Sequence, residues 1–167
     1  MSNLKDIKAY FEHNKTSLKI DLSEKFATKE NGHYTGSCWI VNQDQTKTLL
    51  THHKKLNIWI PTGGHLNSGE TPLEAAIREG YEETGLKLKL HSKHIFYLAI
   101  HDIPKYLETP AHKHYDFTYM FTTSDNTDFI VSDESHSLKW VPLNQLEEYS
   151  KEDNVLFMRD KTLAINK

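Results

Sequence analysis

The clearest alternation of apolar and polar positions runs from residue 112 to residue 122. Its odd-numbered positions include four aromatic residues, namely Tyr115, Phe117, Tyr119 and Phe121. Successive side chains of a strand point to opposite faces, so this row predicts a face turned into a core. The even-numbered positions begin with His112 and His114 and are mostly polar. The segment is therefore predicted to be a long strand with two different faces.

Shorter runs of apolar and β-branched residues predict further strands. They cover residues 37–41, 47–53, 57–60, 87–90, 94–101, 129–131 and 138–141. Polar or proline-containing stretches at 42–46, 103–111 and 132–137 predict the connecting turns and loops. Strands mixed with helices indicate an α/β domain in which helices flank a sheet.

Helical signals mark five segments, at residues 4–14, 23–29, 72–84, 144–149 and 150–165. The third follows a glycine-rich loop at 61–64 and has the strongest signals, with Thr71 as N-cap, Pro72 at the first helical position and Glu74 completing a capping box. Gly85 supplies its C-terminal stop. Helical spacing predicts one buried stripe, which comprises Leu73, Ala76, Ile77, Gly80 and Thr84.

A second face of the same helix is acidic. Glu79, Glu82 and Glu83 follow at positions i, i+3 and i+4, so their carboxylates point to one side and repel one another. A solvated acidic face is the ordinary interpretation of a glutamate-rich helix. An exposed helix would, however, alternate charge signs to gain ion pairs. Clustered carboxylate oxygens suit a hard cation such as Mg²⁺ bound together with substrate phosphates.

Length and composition limit the number of domains, the kinds of partner and the cellular compartment. The 167 residues suit one domain, predicted to cover residues 1–167, and the formal charge of −3 indicates no nonspecific nucleic-acid partner. Cys38 is the single cysteine, which fits a reducing compartment and predicts a cytoplasmic protein. The first ten residues are too charged for a signal peptide, and no apolar run is long enough to span a membrane, so no membrane partner is expected.

Residues 64–86, GHLNSGETPLEAAIREGYEETGL, resemble the Nudix box, G-x5-E-x7-R-E-U-x-E-E-x-G-U, where U is aliphatic. Eight positions match the pattern: Gly64, Glu70, Arg78, Glu79, Glu82, Glu83, Gly85 and Leu86. Gly80 departs from it, because an aliphatic residue is usual there. This departure concerns packing against the sheet more than chemistry, since the position lies on the predicted buried stripe.

The resemblance implies the Nudix fold, an α/β/α sandwich around a mixed β-sheet. It also implies metal-dependent hydrolysis of a diphosphate bond in a nucleoside diphosphate linked to another group. Mg²⁺ or Mn²⁺ would be the cofactor, a small-molecule nucleotide the substrate and a homodimer a possible assembly. Glu79, Glu82 and Glu83 match the metal-ligand positions, often joined by a glycine carbonyl, here that of Gly64 or its neighbour. Glu70 and Arg78 match a pair that braces the loop against the helix.

Glu134 is predicted to assist catalysis from the polar loop at 132–137, where the family often has a further glutamate before a tryptophan. It would bind a second metal ion or take a proton from the attacking water. Asp133 and His136 are alternative occupants of that role. A solvated acidic loop without catalytic function is the other interpretation.

Several histidines are also candidates. His112 and His114 project to one side of their strand and, with Asp116, have the spacing of a zinc site, although a substrate contact or an ordinary surface position is more common. His65 follows the glycine pair and either touches phosphate or is an inert loop residue. Trp59 either stacks on a base or belongs to the core.

Two other functions stay open from the sequence. Some isomerases of isoprenoid diphosphates share the Nudix fold and use a cysteine, for which Cys38 is the candidate. An apolar strand around Cys38 favours an inert buried thiol instead. Some Nudix domains only sense nucleotides without hydrolysing them, but these usually have a damaged box or an added DNA-binding domain.

Overall fold

The computed structural model describes residues 32–105, 107–124 and 128–165. The helices predicted at 4–14 and 23–29 lie outside this part of the chain. The described strands are β1 (Gly32–Asn42), β2 (Lys47–His53), β3 (Ile58–Ile60), β4 (Thr62–His65), β5 (Lys89–Leu90), β6 (Tyr97–Ile103), β7 (His112–Thr123) and β8 (Ser135–Pro142). The described helices are α1 (Pro72–Thr84), a 3₁₀ helix (Leu143–Glu148) and α2 (Asp153–Ile165).

The sheet is built around a parallel pair, β1 and β7. Their register aligns Gly32 with Lys113 and continues without a break to Asn42 and Thr123. The other pairings are antiparallel: β2 and β4 lie against β1, β5 and β6 against β7, and β3 and β8 against β2. The sheet is therefore mixed, as the sequence predicts.

Apolar residues on both faces of the sheet are covered by helices. Cys38 and Ile40 of β1 point towards α1, where they join the aromatic row of β7 in one core. Trp39 and Val41 point the opposite way and pack with the 3₁₀ helix and α2 in a second core. The predicted α/β/α sandwich is confirmed. No helix in the described ranges is long and apolar enough to cross a membrane.

Several predictions about strands differ from the structure, among them the bounds of β5 (Lys89–Leu90, predicted at 87–90) and β6 (Tyr97–Ile103, predicted at 94–101). The loop predicted at 61–64 is mostly strand, because Thr62–His65 pair with β1 from Thr35 to Cys38. Residues 129–131 form no strand, and the side chains of Ile130 and Val131 are exposed. Strand β8 begins at Ser135 instead of residue 138, since it pairs with His53 of β2 at that point.

Strand β1 is longer than predicted and starts at Gly32. The glycines at positions 32 and 36 resemble turn residues, but each lies where a side chain has no room. A Cβ on Gly36 would lie 2.8 Å from the backbone nitrogen of Ala76. The glycine thus permits close contact between the sheet and α1.

The signals for the ends of α1 are confirmed. Thr71 accepts a hydrogen bond from the Glu74 backbone N–H, and the Glu74 side chain accepts one from the Thr71 N–H. Gly85 adopts a left-handed conformation at φ 67° and donates to the Tyr81 carbonyl. The helix therefore begins and ends where its capping residues require.

The buried face of α1 differs from the predicted stripe. Ile77 is 46% exposed, whereas Ala75 and Glu83 are buried alongside Ala76, Gly80 and Thr84. The helix presents its small residues to the sheet, because close approach excludes larger ones. The segment 144–149 is also helical, but as the 3₁₀ helix that begins at Leu143, and α2 begins at Asp153 instead of residue 150.

Gly80 packs directly against the sheet. A Cβ at this position would lie 2.6 Å from Leu88 Cδ1 and 2.8 Å from Cys38 Sγ. The Cys38 thiol is fully buried and donates to the Ala76 carbonyl over 2.8 Å, so it has little freedom to move. The unusual glycine in the box therefore leaves the space that the Cys38 thiol occupies.

We predict that Gly80→Leu, which restores the usual aliphatic residue, destabilises the protein by about 1–3 kcal/mol through overpacking. The free energy of unfolding in urea measures the effect. Tyr81→Leu introduces the same residue at an exposed position of the same helix and is expected to change stability by less than about 0.5 kcal/mol. A Gly80→Leu variant as stable as the parent would show that the contact with Cys38 does not limit packing.

Candidate active site

A cavity of about 980 Å³ opens where β1, β4 and β7 meet the end of α1. Its floor contains Thr35, Ser37, Asp116 and Thr118, which lie side by side on the parallel pair. The turn after β2 contributes Lys54, and the beginning of α2 contributes Asn154 and Met158. The cavity thus combines polar groups, cationic groups and an apolar wall.

The floor is held by a buried carboxylate. Asp116 Oδ1 accepts hydrogen bonds of 2.7 Å from both Thr35 Oγ1 and Ser37 Oγ, and Thr118 donates to Oδ2 over 3.3 Å. Three hydroxyl donors satisfy the anion, as a buried charge requires. Asp116 is therefore engaged in the floor and does not belong to the group of His33, His112 and His114, whose ring nitrogens lie within 4.8 Å of one another.

Arg78 occupies the junction between helix α1, the loop before it and β4. Its Nε and Nη2 donate to the two carboxylate oxygens of Glu70 over 2.7 and 2.9 Å. Nη1 donates to Glu79 and Glu82 over 2.7 and 3.1 Å, and Nη2 also reaches the His65 carbonyl at 2.8 Å. All five donor directions of the guanidinium are used. The structure thus brings Glu70 and Arg78 together in the bidentate pairing that a brace needs.

Glu83 points away from Arg78 and towards the cavity. Its Oε1 accepts a 2.7 Å hydrogen bond from the Gly63 backbone N–H, and only 7% of the residue is exposed. Burial raises the pKa of Glu83 to about 7, and the nearby carboxylates of Glu79, Glu134 and Glu82 add to the effect. The charged groups nearest to Glu83 are thus other carboxylates, which disfavour its ionised form.

The three helix carboxylates are neighbours but do not form one compact ligand set. Glu79 and Glu82 are bonded to Arg78, whereas Glu83 is bonded to Gly63. Their donor set nevertheless fits a hard divalent cation, because Mg²⁺ takes one or two carboxylates and keeps several waters. Glu82 is 55% exposed at its side chain and so is accessible to such an ion. A Cβ at Gly64 would meet the Glu79 carboxylate, so a side chain there would displace that carboxylate from its present position.

The predicted catalytic loop also reaches the cavity. Glu134 and Asp133 both line it, and the loop is tied to the turn after β2 by Lys54. The Lys54 backbone N–H donates to the Glu134 carbonyl over 2.9 Å, and its ammonium donates to the Asp133 carbonyl over 2.8 Å. His136 lies beside His52 with ring centroids 5.2 Å apart, and it does not line the cavity. The role of Glu134 stays a prediction.

Histidine residues gather beside the cavity at its other end. His114 Nε2 lies 3.1 Å from His112 Nε2 and 3.3 Å from His65 Nε2, and the His33 ring stacks 4.7 Å from that of His112. His65 and His114 line the cavity, whereas His112 does not. Burial and then the neighbouring imidazoles lower the pKa of His114 to about 4.

Two other candidates lie away from the cavity. The Cys38 thiol is buried under α1, and burial raises its pKa, so the reactive thiolate of an isomerase is not available there. Trp59 stacks on His52 at 4.9 Å with its ring nearly parallel, and it packs against the second core. Trp59 is thus engaged within the protein and does not line the cavity.

Sequence reasoning missed the contribution of β1 to the site. His33, Thr35 and Ser37 lie at alternate positions on one face of that strand, which the sequence predicts to start only at residue 37. The i, i+2 spacing of polar residues was the available signal. Gly32 before His33 and Gly36 between Thr35 and Ser37 give the segment the appearance of a turn. The sequence also gives no sign of the role of Lys54, because this residue lies in a polar turn that has neither a motif nor a periodic pattern.

A sequence model described as the NUDIX domain matches residues 33–160. The chain is 30% identical over 113 residues to a putative 8-oxo-dGTP diphosphatase of Bacillus subtilis, covering 66% of this chain and 68% of that protein. It is 35% identical over 99 residues to the m7GpppN-mRNA hydrolase NUDT17 of Xenopus laevis. That match covers 55% of this chain but only 33% of the frog protein, so the chain spans about a third of that relative's length.

Solved structures share the architecture. A NUDIX family hydrolase from Clostridium perfringens superposes with a TM-score of 0.65 at 28% identity, covering 81% of this chain and 98% of that chain. The MutT protein of Methanosarcina mazei gives a TM-score of 0.66 at 18% identity, over 84% and 99% of the two chains. The second likeness concerns the fold alone.

The Glu70–Arg78 pair generates a prediction about pH. Hydrogen bonds from Arg78 and from the Asn67 backbone hold the pKa of Glu70 at about 2, below the ordinary 4.5. Between pH 2 and pH 4.5, Glu70 therefore binds a proton more readily in the unfolded chain than in the folded one. The contribution of the Glu70–Arg78 pair to the free energy of unfolding is complete above about pH 4.5 and is lost as the pH falls towards 2. We expect the stability advantage of the parent over Glu70→Gln to shrink over this interval.

The free energy of unfolding, measured by urea titration at several pH values, checks this expectation. Glu108→Gln removes an exposed carboxylate in the loop before β7 and serves as the matched control. A difference between parent and Glu70→Gln that stays constant from pH 7 to the acid end would refute the assignment of the brace.

Proposed function

The chain belongs to the Nudix hydrolase family, and on that premise we propose that it hydrolyses a diphosphate bond in a nucleoside diphosphate linked to another group. A divalent cation, Mg²⁺ or Mn²⁺, is the proposed cofactor. The observation that carries the proposal is the buried Glu83 carboxylate at the cavity wall, beside Gly63, Gly64 and Glu134. A carboxylate with a raised pKa facing a cavity is a candidate site for a positively charged ligand.

Glu79, Glu82 and Glu83 are the residues that would hold the cation, with the Gly64 carbonyl as an additional oxygen donor. When bound, such a cation supplies neutralisation of phosphate charge and activation of water. Arg78 fixes the orientation of Glu79 and Glu82 before any ligand arrives. The Gly63 N–H does the same for Glu83. Preorganised side chains of this kind reduce the cost of binding.

In the proposed reaction, a water oxygen attacks one phosphorus of the diphosphate. The bridging P–O bond breaks, and its electron pair stays with the leaving phosphate. The water loses a proton to a base, for which Glu134 is the candidate because it lines the cavity close to Glu83. The products are two phosphate-containing fragments, and water is the co-substrate.

The remaining walls offer recognition for the rest of a nucleotide. Lys54 lies at the rim and carries a positive charge, while Ile58, Ile60 and Met158 provide an apolar surface suited to a base. The names of the relatives mention 8-oxo-dGTP and an m7GpppN cap, which are both nucleoside polyphosphates. The test panel therefore includes these two compounds, ADP-ribose and dinucleoside polyphosphates. Homodimer formation, implied by the family, stays a prediction.

We predict that hydrolysis across this panel requires a divalent cation. Phosphate release is measured with Mg²⁺ and with excess chelator, and activity should disappear in chelator and return when Mg²⁺ is restored. Glu82→Gln should lower turnover by at least about tenfold while leaving the melting temperature near that of the parent, because Glu82 is exposed. Full activity in excess chelator would disprove the proposed cofactor.

The matched control is Glu148→Gln, which removes an exposed carboxylate from the 3₁₀ helix. Its turnover should equal that of the parent. A folded parent protein that binds nucleotides but hydrolyses none of the panel would favour nucleotide sensing over catalysis.

We further predict that Glu134→Gln lowers turnover by roughly tenfold or more, within the usual range for acid–base groups. Asp133→Asn tests the neighbouring carboxylate that also lines the cavity, and His136→Ala tests the imidazole that does not. A large loss in Asp133→Asn with near-normal turnover in Glu134→Gln would transfer the role to Asp133. Unchanged turnover in all three variants would leave activation of water to the helix glutamates.

A further inference from the structure

Three strands bring four histidines into one patch of the described structure: His33, His65, His112 and His114, here called the histidine cluster. His33 on β1 lies directly opposite His114 on β7 in the parallel register. His112 lies two residues earlier on β7, on the same face. His65 is the last residue of β4, which pairs with β1 at Thr35, two residues beyond His33.

The ring nitrogens of the histidine cluster are spaced like the ligands of a tetrahedral metal ion. One nitrogen from each of His33, His112 and His114 lies within 4.8 Å of the other two. Nε2 of His114 lies 3.1 Å from that of His112 and 3.3 Å from that of His65. A tetrahedral ion with metal–nitrogen bonds of about 2.0–2.1 Å separates its ligand nitrogens by about 3.3 Å. Two of the observed separations thus match without rearrangement.

Hydrogen bonding alone does not satisfy these nitrogens. Nε2 of His114 faces two other ring nitrogens, but one nitrogen holds either a single proton or a single lone pair in the ring plane. One of its two contacts is therefore unsatisfied in any neutral arrangement. In the part of the chain that the structure describes, His33 Nε2 is buried and has no hydrogen-bond partner. An unpaired buried polar atom is costly and calls for a ligand.

We propose that the histidine cluster binds one transition-metal ion of borderline softness, represented by Zn²⁺, with His33, His112 and His114 as ligands and His65 as the fourth. A cation accepts lone pairs from all of them at once and removes the conflict at His114. Imidazole nitrogen is a common donor for zinc, whereas Mg²⁺ prefers oxygen. The site is thus chemically distinct from the helix carboxylates.

The ion would join three strands at the rim of the cavity. His65 and His114 line the cavity, whereas His33 and His112 do not. Binding would link β1, β4 and β7 by side chains in addition to the backbone pairing. A ligand that binds only the folded state raises stability by mass action, so zinc should raise the melting temperature.

The test is a titration of the intact protein with Zn²⁺ against a chromophoric zinc chelator, in millimolar Mg²⁺ to occupy the carboxylates. We expect one equivalent of Zn²⁺ to bind and the melting temperature to rise. His33→Ala and His114→Ala should each weaken binding by at least about tenfold, since loss of an outer-sphere partner alone costs 10–100-fold. His94→Ala, which changes an exposed histidine outside the histidine cluster, should bind like the parent.

Two further arms separate this site from the carboxylate site and from misfolding. Glu82→Gln should bind Zn²⁺ as tightly as the parent, because it alters only the oxygen donors. Co²⁺ in place of Zn²⁺ should give the intense visible absorption of a tetrahedral nitrogen site in the parent, and lose it in His114→Ala with an unchanged circular dichroism spectrum. Absence of a bound equivalent, equal binding by the two histidine variants, or loss of binding in Glu82→Gln would each overturn the proposal.

Discussion

The guanidinium of Arg78 is the interaction on which the candidate site depends. Its five hydrogen bonds connect helix α1 to Glu70 of the preceding loop and to the His65 carbonyl at the end of β4. Charge-assisted, bidentate bonds are stronger and more directional than neutral ones. They also offset the repulsion between Glu79 and Glu82, which face the same side of the helix. Lysine carries the same charge but lacks the planar fork, so it could not hold the loop and the carboxylates together.

The parallel pairing of β1 with β7 is the second constraint. Its register places Thr35 and Ser37 beside Asp116, although these residues lie about eighty positions apart in the sequence. The same register faces His33 with His114. One polar row on each strand thus becomes a continuous polar strip, while the residues between them supply the core towards α1. A shift of either strand by one residue would turn the polar row of that strand to the opposite face.

Local patterns in the sequence predict the parts of the fold that depend on local physics. The ends of α1 follow from Thr71, Glu74 and Gly85, because capping is decided within a few residues. The core face of β7 follows from its alternating aromatics. Ile77 shows the limit, since helical spacing alone does not reveal that a close-packed sheet admits Ala75 and excludes a larger side chain. The same limit applies to residues 129–131, which have strand-like composition but no strand to pair with in the described structure.

The candidate site also has one part that the local sequence predicts and one part that depends on the fold. The box carboxylates are recognisable because they share one helix, whereas the histidine cluster depends on strands that only the fold brings together. His65 belongs to both environments: its carbonyl is fixed by Arg78, and its imidazole approaches His114. Oxygen donors at one end of the cavity and nitrogen donors at the other favour different ions, because hard cations prefer carboxylate and borderline ions prefer imidazole. The two ends are joined through one residue of β4, so a change in the position of that strand alters both.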